Sequence, residues 1–90
     1  MAAEVITRAV VKDFEEWKKG FDAGKPVRDA GGVTSVRVFR DPEERNTVVV
    51  SQSFASLDAA RAFAANPALA EAMKNSGVQG TPRIEIFEVI

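Results

Sequence analysis

Histidine, cysteine and tyrosine are all missing from this 90-residue chain. Without His and Cys there is no usual ligand set for zinc, haem or an iron–sulfur cluster, no thiol nucleophile and no Ser–His pair. Disulfides are ruled out as well, and neither a metal nor a cofactor is expected. Chemistry would have to come from Asp, Glu, Lys, Arg, Ser, Thr, Asn, Gln and the single Trp. Long apolar runs are also lacking: no stretch approaches the ~18 residues that a bilayer-spanning helix needs. Met1-Ala-Ala-Glu-Val has no basic n-region ahead of an apolar stretch, so a cytoplasmic location is expected. Charge of one sign is scarce too. Twelve Lys and Arg face 13 Asp and Glu for a net charge of -1, and the basic residues are scattered from Arg8 to Arg83 with no run longer than Lys18-Lys19. That distribution offers no footprint for nucleic acid or an anionic membrane.

What is present reads as one folded domain over residues 1–90. The chain is 46% hydrophobic and 28% charged, outside the disordered range, and half its length would be too short to bury a core. Glu4 to Val11 is short and β-branched, as a strand requires. It runs into Asp13, an N-cap with Glu16 three positions on. The following helix carries Phe14, Trp17 and Phe21 on one stripe, with Gly20 weakening its middle. Lys25-Pro26 should kink or restart it before Gly31-Gly32 ends it. Val33 to Arg40 and Thr47 to Phe54 form a hairpin across the polar segment Asp41 to Asn46. Ser56 caps a second helix with Leu57, Ala60 and Phe63 or Ala64 on its stripe, and Asn66-Pro67 stops it and starts a third. That helix carries Leu69 and Met73 on one side and ends at Gly77, with Val78 placed for the apolar contact of a left-handed cap. Gly80-Thr-Pro82 should turn the chain into a last strand, Arg83 to Val89.

The order is β-α-β-β-α-β. Two right-handed βαβ units of this kind give an α+β, ferredoxin-like fold: a four-stranded antiparallel sheet with both helical segments on one face. The strands nonetheless place apolar groups on both sides of the pleat, in Val48-Val49-Val50, Val10-Val11 and Val36 with Val38 and Phe39. Ninety residues supply helices for one face only, so the other is expected to pack against a second copy in an isologous homodimer.

The segments Asp13-Phe14-Glu-Glu-Trp17-Lys-Lys-Gly-Phe21-Asp22, Arg28-Asp-Ala-Gly31, Val38-Phe39-Arg40-Asp41 and Ala59-Ala60-Arg61-Ala62-Phe63, in this strand order, resemble the dimeric α/β-barrel superfamily. The likeness covers Glu4 to Val89 and is closest to small bacterial members labelled cyclase or antibiotic-biosynthesis-monooxygenase-like. It implies two ferredoxin-like subunits with their sheets back to back, each keeping a ligand cavity between its own sheet and helices. Cofactor-free oxygenases, isomerases, polyketide cyclases and haem-degrading enzymes share that plan. The haem-degrading activity depends on a His ligand and is excluded here. Many of the closer members of that superfamily also carry a His after the Arg of strand one, whereas Ala9 follows Arg8 in this chain, so any acid–base role of that His is gone.

Each candidate site residue has a plainer explanation beside the functional one. Trp17, Phe14 and Phe21 can roof a cavity for an aromatic or polyketide-like ligand, although such a stripe is more often core. Arg8 and Arg37 are the candidates for stabilising an oxyanion in a dry site, against cross-strand ion pairs with Glu85 or Glu88. Ser51, Gln52 and Ser53 interrupt the valines of the third strand, so at least one points inward, with Ser51 and Gln52 the candidate ligand contacts. Asp22 and Arg28 flank Pro26 and read as a local salt bridge. Gly20-Phe-Asp-Ala-Gly24-Lys25-Pro26 lacks both the spacing and the Ser/Thr of a phosphate loop. The reading is a homodimer whose subunits each hold a small apolar ligand, as a cofactor-free cyclase, isomerase or monooxygenase-like enzyme. The other readings open to it are a non-catalytic ligand-binding or structural protein and a ligand-sensing module.

Overall fold

A computed structural model of the chain describes residues 2–90. The elements are β1 (Ala3–Val11), α1 (Phe14–Ala23), α2 (Lys25–Ala30), β2 (Val33–Arg40), β3 (Thr47–Phe54), α3 (Leu57–Ala65), α4 (Pro67–Asn75) and β4 (Val78–Glu88). All strands pair antiparallel in the order β2-β3-β1-β4, the ferredoxin-like arrangement expected from the sequence.

The register decides which residues meet the helices. Val5 faces Gln52, Thr7 faces Val50 and Ala9 faces Val48 across β1 and β3, so these residues share one side of the pleat. Ala3, Val5, Ala9, Val11, Val48, Val50 and Phe54 are buried there beneath the helices. The alternate residues Ile6, Arg8, Val10, Val49, Ser51 and Ser53 lie on the opposite face, joined by Arg37 and Phe39 of β2 and Arg83, Glu85 and Phe87 of β4. The runs of consecutive valines are therefore two-sided, as their pattern implied. In the single chain the second face is open, with Val10 48%, Phe39 44% and Phe87 49% exposed.

Side-chain caps set the helix boundaries. Asp13 accepts the Glu16 N–H at 3.0 Å, Ser56 the Ala59 N–H at 3.1 Å and Asn66 the Ala68 N–H at 2.9 Å, each meeting an orphan donor of the first turn. Pro26 and Pro67 sit in the first turns of α2 and α4, where a missing N–H costs nothing. Both crossovers are thus broken helices. Gly32 and Gly77, each at φ 90°, take the left-handed conformation that releases the chain into β2 and β4.

One expectation needs correction. The last strand does not wait for a turn at Gly80-Thr81-Pro82 but already begins at Val78. These three residues form a bulge inside β4, lying opposite Ala9 between the Arg8–Arg83 and Val10–Gln79 pairs. Gly80 supplies the positive φ of 66° that a bulge requires, which is why the same residues read as a turn in sequence.

The β2–β3 loop is held by Asp41, whose carboxylate accepts the Glu44 N–H at 2.8 Å and the Glu43 N–H at 2.9 Å. Those two bonds hold the Asp41 carboxyl below its usual range. A carboxyl depressed in the folded state adds stability above its unfolded pKa, and that stability disappears as the pH falls through the folded value. Asp41→Asn should therefore lower the urea midpoint at pH 7, with the difference from the parent vanishing in acid once the pH has fallen through the depressed carboxyl's folded value. A constant offset at both pH values would remove the charge from the account. Phe54 is 1% exposed and packs on Phe63 with ring centroids 5.2 Å apart. Phe54→Ala should cost about 3–5 kcal/mol in denaturant unfolding, and a loss under about 1 kcal/mol would show that this end of the core collapses to refill the space.

Candidate functional site

The inward face of the sheet is not packed evenly. One apolar cluster gathers Ala3, Val5, Phe54, Ala60 and Phe63 at one end, and another gathers Ala9, Val11, Trp17, Val48 and Val50 at the other. Between them β1 presents Thr7 and β3 presents Gln52, polar residues in otherwise apolar inward rows. Above them the helical layer divides, with α1 and α2 on one side and α4 on the other. The space left is a cavity of about 350 Å³, within the range of small-molecule sites.

Its walls follow from the local sequence. Trp17 and Phe21 stack at 5.1 Å along the stripe of α1, while Leu69, Ala72, Met73 and Ser76 form the facing side at the i, i+3, i+4, i+7 spacing of one helical face. Small residues bring the helices together. A Cβ added at Gly20 would lie 3.3 Å from Ser76 Cβ, and one at Gly31 would lie 2.8 Å from Phe63 Cδ1. Both contacts are with residues that themselves line the cavity.

Polar groups in the lining are few. Gln52 is 5% exposed, and no hydrogen bond among the described residues reaches its amide. Because every fully enclosed side-chain N or O atom has a partner, the unbonded amide retains its small accessible area on the cavity side. The Ser76 hydroxyl donates to the Met73 carbonyl at 3.0 Å. Arg28 is the one ionisable side chain in the lining among the described residues. Its Nη1 donates to the Phe21 carbonyl at 2.5 Å and its guanidinium sits 3.9 Å from the centre of the Phe21 ring. Burial pushes its pKa down, against the pull of the Asp22 and Asp29 carboxylates, yet a guanidinium remains protonated at neutral pH. The expected Asp22–Arg28 salt bridge does not form. Asp22 is 2.6 Å from Lys18 Nζ and Asp29 is 2.7 Å from Lys25 Nζ, both one helical turn away and better placed.

Of the residues singled out from sequence, Trp17, Phe21 and Gln52 line the cavity. Phe14 packs beside Trp17 but is turned toward the hairpin, under the Arg40 guanidinium at 4.0 Å. Arg8, Arg37 and Ser51 belong to the opposite face of the sheet. Ser51 donates to Glu4 Oε2 at 2.6 Å and Ser53 donates to the other oxygen of the same carboxylate. Arg37 lies 5.1 Å from the Phe39 ring centre, and Arg8 sits across from Arg83. Glu85, a proposed partner for these arginines, is held instead by Arg83 Nε at 3.2 Å. Strand parity puts Arg8 and Arg37 on the face of the sheet away from the cavity, where each alternates with residues that face the helices. No group of three or more carboxylates suited to a metal ion occurs among the described residues.

The sequence matches no protein-family model and no curated protein. Solved structures do match it. A Bordetella bronchiseptica protein provisionally described as an antibiotic biosynthesis monooxygenase superposes with a TM-score of 0.80 at 15% identity, covering 99% of this chain and 97% of its own. SnoaB, a cofactor-independent oxygenase from Streptomyces nogalater, gives 0.78 at 16% identity, with 99% and 93% covered. A dimeric ferredoxin-like protein of unknown function from a Jannaschia species gives 0.71 at 14%, with 99% and 100% covered. The chain shares the ferredoxin-like fold of these proteins. Within that ferredoxin-like fold, sequence reasoning passed over Thr7 and gave Arg28 the wrong partner. The stripe Leu69, Met73 and Ser76 signalled the cavity wall, and Thr7 was signalled by standing at an inward position between Val5 and Ala9.

An amide with no hydrogen bond to lose contributes nothing to folding through one. Gln52→Met should leave the melting temperature unchanged or raise it, within about 1 kcal/mol of the parent. A loss above about 2 kcal/mol in thermal unfolding would mean that the amide is bonded in solution.

Proposed function

We propose that this protein binds a small, largely apolar molecule between sheet and helices and acts on it without a cofactor, as a monooxygenase-, cyclase- or isomerase-like enzyme working as a homodimer. The observation that carries the reading is the cavity of about 350 Å³, walled by Trp17, Phe21, Leu69 and Met73 and floored by the unbonded Gln52 amide. That amide keeps accessible area on the cavity side, where water or a ligand can meet it. SnoaB, similar in fold, is a cofactor-independent oxygenase, which fits a lining without His, Cys or a cluster of carboxylates. In such a site the protein supplies orientation, exclusion of water and hydrogen bonds to a reactive oxygen rather than a nucleophile. An aromatic or polyketide-like ring system suits the flat space beside Trp17 and Phe21.

The open face supports the homodimer. Val10, Phe39, Phe87 and Val89 are exposed together on the face that the helices leave bare, and the fold relative from the Jannaschia species is dimeric. Arg8, Arg37 and the Glu4–Ser51–Ser53 cluster would then lie at or near the subunit contact. A second reading, a binding protein without catalysis, is favoured by one fact: Arg28 is the lone ionisable group of the lining, so no acid–base pair is in place there.

Native mass spectrometry of the protein purified from its own source tests ligand and assembly together. A dimer with a bound adduct of a few hundred daltons is expected, and a bare monomer would overturn the reading. Phe39→Asp combined with Phe87→Asp should weaken self-association on the order of 100-fold, as two buried charges cost several kcal/mol. An unchanged sedimentation profile would move the interface elsewhere.

A further inference from the structure

We propose that the cavity is built for an amphipathic anion, with Arg28 as the group that holds its negative oxygen and the apolar walls holding a flat hydrocarbon body. This rests on the reading of the cavity as a ligand site and names the class of ligand it takes. Three observations carry it. The lining holds one formal charge among the described residues, and that charge is positive. The carboxylates nearest to it in sequence make their ion pairs elsewhere, Asp22 with Lys18 and Asp29 with Lys25, so they attract the guanidinium from a distance without occupying its N–H donors. Its position is also fixed on the cavity side: Nη1 is bonded to the Phe21 carbonyl, the plane lies over the Phe21 ring, and Nη1 comes within 3.2 Å of where a Gly24 Cβ would stand.

A guanidinium has five N–H donors in a fixed fork, and the Phe21 carbonyl takes one of them. The remaining donors suit the two oxygens of a carboxylate or the single oxygen of a phenolate or enolate. Partial burial strengthens that attraction, because the charge has already lost part of its hydration and burial has pushed the Arg28 pKa down. Gly24, lacking a side chain, keeps the approach to the guanidinium clear. At the floor of the cavity Gln52 offers both a donor and an acceptor, which suits a carbonyl or hydroxyl substituent on the same ligand. The geometry thus separates two tasks: charge recognition by Arg28 on the α2 wall, and orientation of a neutral group by Gln52 below.

The test uses a matched pair of probes, 2-naphthoate and 2-naphthamide, with the same ring system and a single difference in charge at neutral pH. Binding is followed by isothermal titration and by quenching of Trp17, the single tryptophan of the chain and a wall of the cavity. Naphthoate should bind wild-type protein about tenfold more tightly than the amide, the size of one charge-assisted fork contact. Arg28→Gln should abolish that preference while leaving naphthamide affinity unchanged, and Arg28→Lys should keep part of it, since a point charge remains without the fork. Arg61→Gln removes one exposed positive charge of α3 that is not in the lining and should change neither.

Equal binding of acid and amide by the wild-type protein would overturn the anion proposal and leave the cavity standing as a neutral-ligand site. That comparison needs no variant to fold. An acid preference that persists in folded Arg28→Gln would overturn the role of Arg28. Failure of both probes to bind or to quench Trp17 would overturn the cavity reading and this proposal with it.

Discussion

The inward face of β1 and β3 must be covered by two crossovers, and neither is one continuous helix. Gly24-Lys25-Pro26 breaks the first and Asn66-Pro67 breaks the second, so the helical layer lies on the sheet in four short pieces. Short pieces pack well at the two ends of the face, where Phe54 with Phe63 and Val48 with Trp17 form dense clusters. They cannot also close over the middle. The cavity is the geometric remainder of that constraint, and the polar residues Thr7 and Gln52 stand beside Val50 and Val78 among the strand positions that border it. Closing the space would require moving the two buried clusters on either side of it.

The broad plan was legible because local signals and the global pattern agree. Asp13, Ser56 and Asn66 announce helix starts, Pro26 and Pro67 fill the first turns, and the paired valines announce a two-sided sheet. Legibility failed where a residue's meaning depends on parity or on a competitor for a partner. Arg8 and Arg37 lie on central-looking strands, and a one-residue change of phase would bring them to the cavity side; only the register with β3 sets that phase. Arg28 beside Asp22 reads as an ion pair until Lys18, four residues before Asp22, is seen to hold the same carboxylate. Gly80-Thr81-Pro82 has the composition of a turn, and the pairing of Val78 and Gln79 with β1 makes it a bulge. Gln52 was found for the opposite reason: three polar residues in succession on a valine strand must send one of them inward whatever the phase.

The two faces of the sheet carry different polar logic. Outside, Glu4 collects the hydroxyls of Ser51 and Ser53, so its carboxylate is satisfied within the chain and sits amid exposed valine and phenylalanine. Inside, the Gln52 amide makes no hydrogen bond among the described residues, and Arg28 gives one of its donors to the Phe21 carbonyl at the cavity wall. A satisfied polar group beside apolar surface suits a contact between proteins, whereas a polar group with spare hydrogen-bonding capacity in a cleft suits a small polar partner, water included.

The bulge in β4 has a consequence for the sheet's edge. β4 is a border strand, and a border strand with a regular row of free amides is a template on which further strands can add. Here Pro82 has no amide hydrogen to offer, and the extra residues around Gly80 throw the neighbouring groups out of step. An incoming strand would meet a missing donor and a shifted repeat at the middle of the edge. The irregularity that carries β4 past Ala9 therefore also guards this side of the sheet against fibrillar extension, even though half of the strand's neighbours on its outer face are apolar.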